Sequence, residues 1–199
     1  MRTKHFPFEY RPLSWSAISS FRYDKEQWHR KYVQGIKDPP NDLMTFGNVV
    51  GTKLATDPTF LPDVPRLSVF EKELKGRVGN IPILGFLDSF SFDKDTIEIL
   101  EYKTSSNANR WTKKSAQNHG QLLFYLALCW LNYQKAPEDI KCRLVYIPVE
   151  MTIEDGMIVS SEAIQIFHVQ HTAIEVLHFL KYIKETYAEM LVFADEKAK

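Results

Sequence analysis

Apolar positions along this chain follow two periods, and the period changes where glycine, proline or short polar runs interrupt it. Ser14 or Ser16 can cap a helix that runs to about Val33 and stops before Gly35. Asp38-Pro39-Pro40-Asn41 is a loop, and Thr45 to about Thr56 predicts a second helix. After the proline-rich loop Asp57 to Pro65, the period shortens toward two. Leu67 to Lys75 reads as a first strand ending at Gly76, Gly79-Asn80 as a turn, and Ile81 to Ser91 as a second strand. Phe92 to Asp95 turns the chain into a third strand, Ile97 to Lys103. Beyond the polar loop Ser105 to Asn109, Trp111 or Thr112 to about Tyr133 predicts one long helix. Cys142 to Pro148 is a fourth strand, Met157 to Val169 holds a further one, and His171 to about Phe193 is an amphipathic closing helix. Met1 to Pro12 reads as an extended arm and Ala194 to Lys199 as a fraying tail. Neither repeat nor linker is visible, so the expectation is one domain over residues 1–199, an α/β fold with helices flanking a central mixed sheet.

The third strand carries the chemistry. Side chains alternate along a strand, so Ile97, Ile99, Glu101 and Lys103 share a face, and Asp88 closes the neighbouring strand. Charges at the end of an apolar row are costly unless they are paired or hold a metal. A salt bridge between strand ends and a divalent-metal site are the two readings of these residues alone. A second E-x-K, Glu73-Leu74-Lys75, has Asp63 upstream, but that Asp lies between Pro62 and Pro65, where a strand end is disfavoured.

Asp88, Glu101 and Lys103 together resemble the D…E-x-K core of the PD-(D/E)XK nuclease superfamily. Two more stretches resemble its RecB-like branch, which includes CRISPR-associated adaptation exonucleases. Leu13-Ser14-Trp15-Ser16-Ala17-Ile18-Ser19-Ser20-Phe21 is similar to the branch's opening helix, and Gln121-Leu122-Leu123-Phe124-Tyr125 to its Q-x-x-x-Y helix. The resemblance implies an αβββαβ core and a Mg²⁺- or Mn²⁺-dependent deoxyribonuclease acting on single-stranded or end-containing DNA, in repair, recombination or defence. A helicase or another recombination or defence protein would be a natural partner. Asp88, Glu101 and the main-chain carbonyl of Tyr102 would hold the metal. Lys103 would orient or deprotonate water, or stabilise charge developing on phosphorus. Gln121 would reach the site from its helix, with Tyr125 beneath it. A catalytically retired DNA-binding or assembly subunit with the same fold is the alternative. Relatives usually carry G-x-x-x-H-x-x-L in the second helix, where the His often ligates metal; counting from Gly47, that position here holds Gly51.

Ser14 and Ser16 are expected to contact DNA, as are Arg110, Trp111, Lys113 and Lys114, which combine cations for phosphate with an indole for stacking. Arg22, Lys25, Arg30 and Lys31 either approach phosphate or form a solvated helix face. Glu73 sits near the site or pairs with Lys75 in solvent.

Composition narrows the alternatives. Lys and Arg number 25 and so do Asp and Glu, so no whole-surface nucleic-acid coat is expected, only a local groove. Hydrophobic residues at 44% and aromatics at 13% describe a folded chain. No apolar run reaches the roughly 20 residues that span a bilayer, and no signal-peptide pattern opens the sequence. The two cysteines, Cys129 and Cys142, lack metal spacing and suit a cytoplasmic protein with free thiols, without the four-cysteine iron–sulfur cluster of some RecB-like nucleases. His168 and His171 find no third ligand for zinc. No Walker-type phosphate loop occurs.

Overall fold

A computed structural model describes residues 11–36, 39, 41–107, 110–152, 156–160 and 163–199. The expected N-terminal arm lies outside these, apart from Arg11 and Pro12. Among the described residues the strands form one mixed six-stranded sheet in the order β1-β2-β3-β4-β5, with β6 also on β4. β1 (Val69–Val78), β2 (Ile81–Asp93) and β3 (Thr96–Ser105) are an antiparallel meander. β4 (Ile140–Thr152) returns parallel to β3 after a helical crossover. β5 (Gly156–Val159) and β6 (Gln165–Val169) both run antiparallel to β4, on successive stretches of it. A single strand was expected over Met157 to Val169. Two form instead because β4 is long enough to pair one of them along Val149–Thr152 and the other along Cys142–Tyr146.

Helices cover both faces. One layer contains α1 (Trp15–Tyr23), α5 (Gly120–Tyr133) and α6 (Ala173–Lys197), packed on Leu74, Leu87, Ile97 and Ile99. On the other face α3 (Asp42–Thr56) lays Val50 and Leu54 over Leu100, Val145 and Ile147. The alternation in β3 thus feeds two cores, Ile97 and Ile99 to one and Leu100 to the other.

The second helix starts at Asp42 rather than Thr45, because the Asn41 side chain caps it by accepting the Met44 N–H at 2.8 Å, and three further differences also have local reasons. The first helix does not run unbroken to Val33. Asp24 adopts an extended backbone, accepts the Gln27 N–H at 3.0 Å and caps a short α2 (Lys25–Trp28), which continues as a π-turn, His29–Val33. The long helix also breaks, into α4 (Lys113–Gln117) and α5, with His119 extended between them. Gly120 lies against the Trp15 ring so closely that a Cβ there would sit 2.1 Å from its Cη2, and the chain bends to admit the indole. The tail does not fray at Ala194: α6 continues to Lys197, because Phe193 packs on Phe21 and Trp28, Ala194 is buried, and Lys197 pairs with Glu26. No helix of the described residues is long and apolar enough to cross a membrane.

Candidate active site

The site forms where β2 and β3 separate. Their ladder runs from Asp93↔Thr96 to Ser89↔Leu100 and stops. Asp88 and Glu101 are the next pair, and here a side chain replaces the ladder: the Tyr102 N–H donates to Asp88 Oδ2 at 2.8 Å. The Tyr102 ring stacks on Phe70 in the α3 layer and its hydroxyl donates to the Pro65 carbonyl at 2.7 Å, which fixes the strand from below.

Glu101 is buried, with 1% of its side chain exposed, and its Oε1 meets Lys103 Nζ at 2.5 Å. Its Oε2 is buried and receives no N–H, while the Asp88 and Glu101 carboxyls lie close enough to hydrogen-bond when they share a proton. Burial pushes the Glu101 carboxyl up, against the pull of Lys103. Burial raises Asp88 well above the usual carboxylate range, and the like charge of Glu101 adds to it. For Lys103, burial pulls down but the Glu101 carboxylate wins and the ammonium is held above its ordinary value.

From Lys103 a hydrogen-bonded chain crosses to α5. Nζ donates to Gln121 Oε1 at 2.9 Å, Gln121 Nε2 donates to the Tyr125 hydroxyl at 2.7 Å, and that hydroxyl donates to the Phe86 carbonyl. Phe86 lies on β2 beyond the parting, so Tyr125 satisfies a carbonyl left outside the β2–β3 ladder. The close approach of α5 depends on Gly85, where a Cβ would fall 2.7 Å from Leu128 Cδ1 and 3.1 Å from Tyr125 Cε1. Burial and the nearby carboxylates raise the Tyr125 hydroxyl far above its ordinary range, so it stays a neutral donor.

A cleft of about 790 Å³ opens over these groups, within the roughly 300–1,000 Å³ typical of ligand sites. Asp88, Glu101, Tyr102, Lys103 and Gln121 line one side and α3 the other. Gly51 faces the cleft, and a Cβ there would meet nothing within 4 Å. The histidine that relatives usually carry would have room here; this chain leaves the space open.

The remaining sequence candidates lie elsewhere. Ser14 caps α1, accepting the Ala17 N–H at 3.3 Å, and hydrogen-bonds Ser16 at 2.9 Å; neither lines the cleft. Arg110, Lys113 and Lys114 are exposed where the chain enters α4, and Trp111 packs edge-on against His119 with ring centroids 4.9 Å apart. Burial, then Lys103 and Arg110, lower His119 to about 4. Arg22 is committed to Glu189 through two bonds of 2.9 Å. Glu73 pairs with Lys75 at 2.5 Å in solvent, outside the cleft lining.

Glu71, which the sequence reading passes over, lines the cleft instead. It stands opposite Asp88 in the hairpin, and counting outward from the Gly79-Asn80 turn would have found it.

The buried Glu101 carboxylate and the half-buried Asp88 carboxyl, side by side with neither oxygen pair saturated by N–H donors, suit a hard cation that takes oxygen ligands. No group of three or more His, Cys, Asp and Glu among the described residues has metal-holding geometry, so water would complete the shell. The residues fit such an ion.

Among solved structures, a Eubacterium rectale protein named as a candidate exonuclease superposes with a TM-score of 0.59 at 12% identity, covering 100% of this chain and 89% of that one. The structure of SSO0001 superposes with a TM-score of 0.50 at 16% identity, covering 94% of this chain and 78% of that one. At such identities the likeness shows the fold alone. No curated protein matches by sequence. The PD-(D/E)XK nuclease superfamily model matches residues 53–197, from the end of α3 to the end of α6 and across the whole sheet. This chain belongs to the PD-(D/E)XK nuclease superfamily.

Proposed function

We propose that the protein is a divalent-metal-dependent deoxyribonuclease of the RecB-like kind, acting on single-stranded or end-containing DNA. The observation that carries the reading is Glu101: a buried carboxylate with one oxygen paired to Lys103 and the other given no N–H, beside the half-buried Asp88 carboxyl on the parted strand. A burial so costly persists where a ligand offsets it.

Asp88, Glu101 and the main-chain carbonyl of Tyr102 would hold Mg²⁺ or Mn²⁺. When bound, the cation supplies a Lewis acid for the phosphodiester and lowers the pKa of nearby water. Lys103, held protonated beside Glu101, would stabilise negative charge as it grows on the phosphate. Gln121 fixes the direction of Nζ, and Tyr125 fixes Gln121 by accepting from its amide. Arg110, Lys113 and Lys114, exposed where the chain enters α4, would contact the phosphates of the approaching strand. Residues 1–199 would act as a single nuclease domain in the cytoplasm.

The test is cleavage of end-labelled linear and closed circular DNA, single- and double-stranded, in Mg²⁺ or Mn²⁺ against chelator. Lys103→Ala is the control. Metal-dependent cutting that Lys103→Ala abolishes is expected, and the circular substrates separate endonuclease from exonuclease action. Cutting that survives Lys103→Ala would overturn the assignment. DNA binding without cutting would favour the retired subunit.

A further inference from the structure

We propose that the α3 wall of the cleft is a subsite for an unpaired nucleobase, with the open space at Gly51 as its floor. The proposal deepens the nuclease reading and rests on it.

The two sides of the cleft differ in charge. Lys103 is the one cation among its described lining residues, and it belongs to the sheet side with Asp88, Glu101 and Glu71. The α3 residues that line the cleft are uncharged, Leu43, Met44, Asn48, Gly51 and Thr52 among them. Lys53, on the same helix, turns away and lies over the Phe60 ring at 5.2 Å.

A DNA strand is itself two-sided, with phosphates along one edge and neutral bases along the other. The scissile phosphate must face the carboxylates and Lys103. What then meets α3 faces Met44 and Leu43 with no cation to neutralise a second phosphate backbone, so a neutral base face suits this wall better than the far strand of a duplex. An unpaired base fits.

The wall also offers means of holding one. Met44 is 57% exposed and Leu43 44%, so apolar surface is available for a base face. The Asn48 amide is exposed and makes no hydrogen bond among the described residues, leaving donor and acceptor free for a base edge. At Gly51 the helix surface is indented, because no Cβ is present and nothing lies within 4 Å of where one would be. A larger side chain at this position would occupy the space that the base needs.

The experiment is fluorescence anisotropy of the full chain with a labelled deoxythymidine strand and with an abasic strand of equal length. Ca²⁺ stands in as the oxygen-seeking cation. Stacking of one base predicts about tenfold tighter binding of the strand with bases. Gly51→Met and Asn48→Ala should each reduce that ratio at least threefold while Mn²⁺ still raises the melting temperature of both variants, showing that the folded carboxylate side is intact. Equal affinity for the abasic strand would overturn the inference, as would a ratio unchanged in folded Gly51→Met. Base discrimination without metal-dependent cleavage on any substrate would leave the subsite standing and sink the nuclease reading instead.

Discussion

Glu71 stands opposite Asp88 across the first hairpin, and the β1–β2 pairing lapses at that point: Phe70↔Ser89 and Lys72↔Leu87 pair on either side of it. Glu71 has a left-handed backbone, φ 50°, and both strands change face here. Phe70 packs in the α3 layer but Leu74 in the α5 layer, and Leu87 and Phe90 both reach the α5 layer although they are three residues apart. Two like charges thus meet where one strand also carries an unfavourable backbone.

Replacing that residue by one that tolerates positive φ should relieve both costs. Glu71→Gly is expected to stabilise the metal-free protein by about 1 kcal/mol. Urea unfolding would show it as a higher midpoint at unchanged slope. A lower midpoint would mean that the glutamate carboxylate itself stabilises the fold.

Asp88 and Glu101 set a pH dependence. Both are raised above their unfolded values, chiefly by burial. The folded state therefore binds protons that the unfolded state does not in the window between the raised values and about 4. Stability of the metal-free protein should rise as pH falls into that window. Asp88→Asn keeps an acceptor for the Tyr102 N–H, loses this share of the pH dependence and stabilises the neutral-pH apoprotein by at least about 1 kcal/mol. It should also lose the rise in melting temperature that Mg²⁺ or Mn²⁺ gives the wild type. Thermal melts across pH, with and without the ion, check both statements.

Two glycines in helices predict opposite outcomes. Gly51→Ala meets open space and should stabilise by about 1 kcal/mol, the helix-propensity difference. Gly120→Ala drives a methyl group into the Trp15 ring and should destabilise by roughly 1–3 kcal/mol. Their melting temperatures should fall on either side of the wild type.

Tyr125→Phe leaves the Phe86 carbonyl and the Gln121 amide each short of a partner. A loss of about 1–3 kcal/mol in stability follows. Nuclease turnover should drop with little change in KM, since the hydroxyl acts on Lys103 only through Gln121. A rise in KM alone would mean that Tyr125 touches substrate.

What the sequence determined about this protein is what short-range pattern can carry. Alternation placed Glu101 and Lys103 on one strand face, the turn residues delimited the hairpin, and helical spacing put Gln121 and Tyr125 on one face of α5. The motif order then pointed to the superfamily, which the match over residues 53–197 shows. The tertiary structure decided what depends on surfaces meeting from far along the chain. The parting of β2 and β3 shows only once Asp88 reaches Tyr102, and the α4–α5 break only once Trp15 lies on Gly120. Glu71 rather than Glu73 lines the cleft because the strands change face at Glu71, φ 50°; hairpin register puts Glu71 opposite Asp88, but a period-two reading does not show the change of face. The neutral wall opposite the carboxylates exists only because α3 crosses that end of the sheet. Local periodicity fixes which face a side chain takes within its own element; which element comes to lie opposite it is set by packing the two cores together.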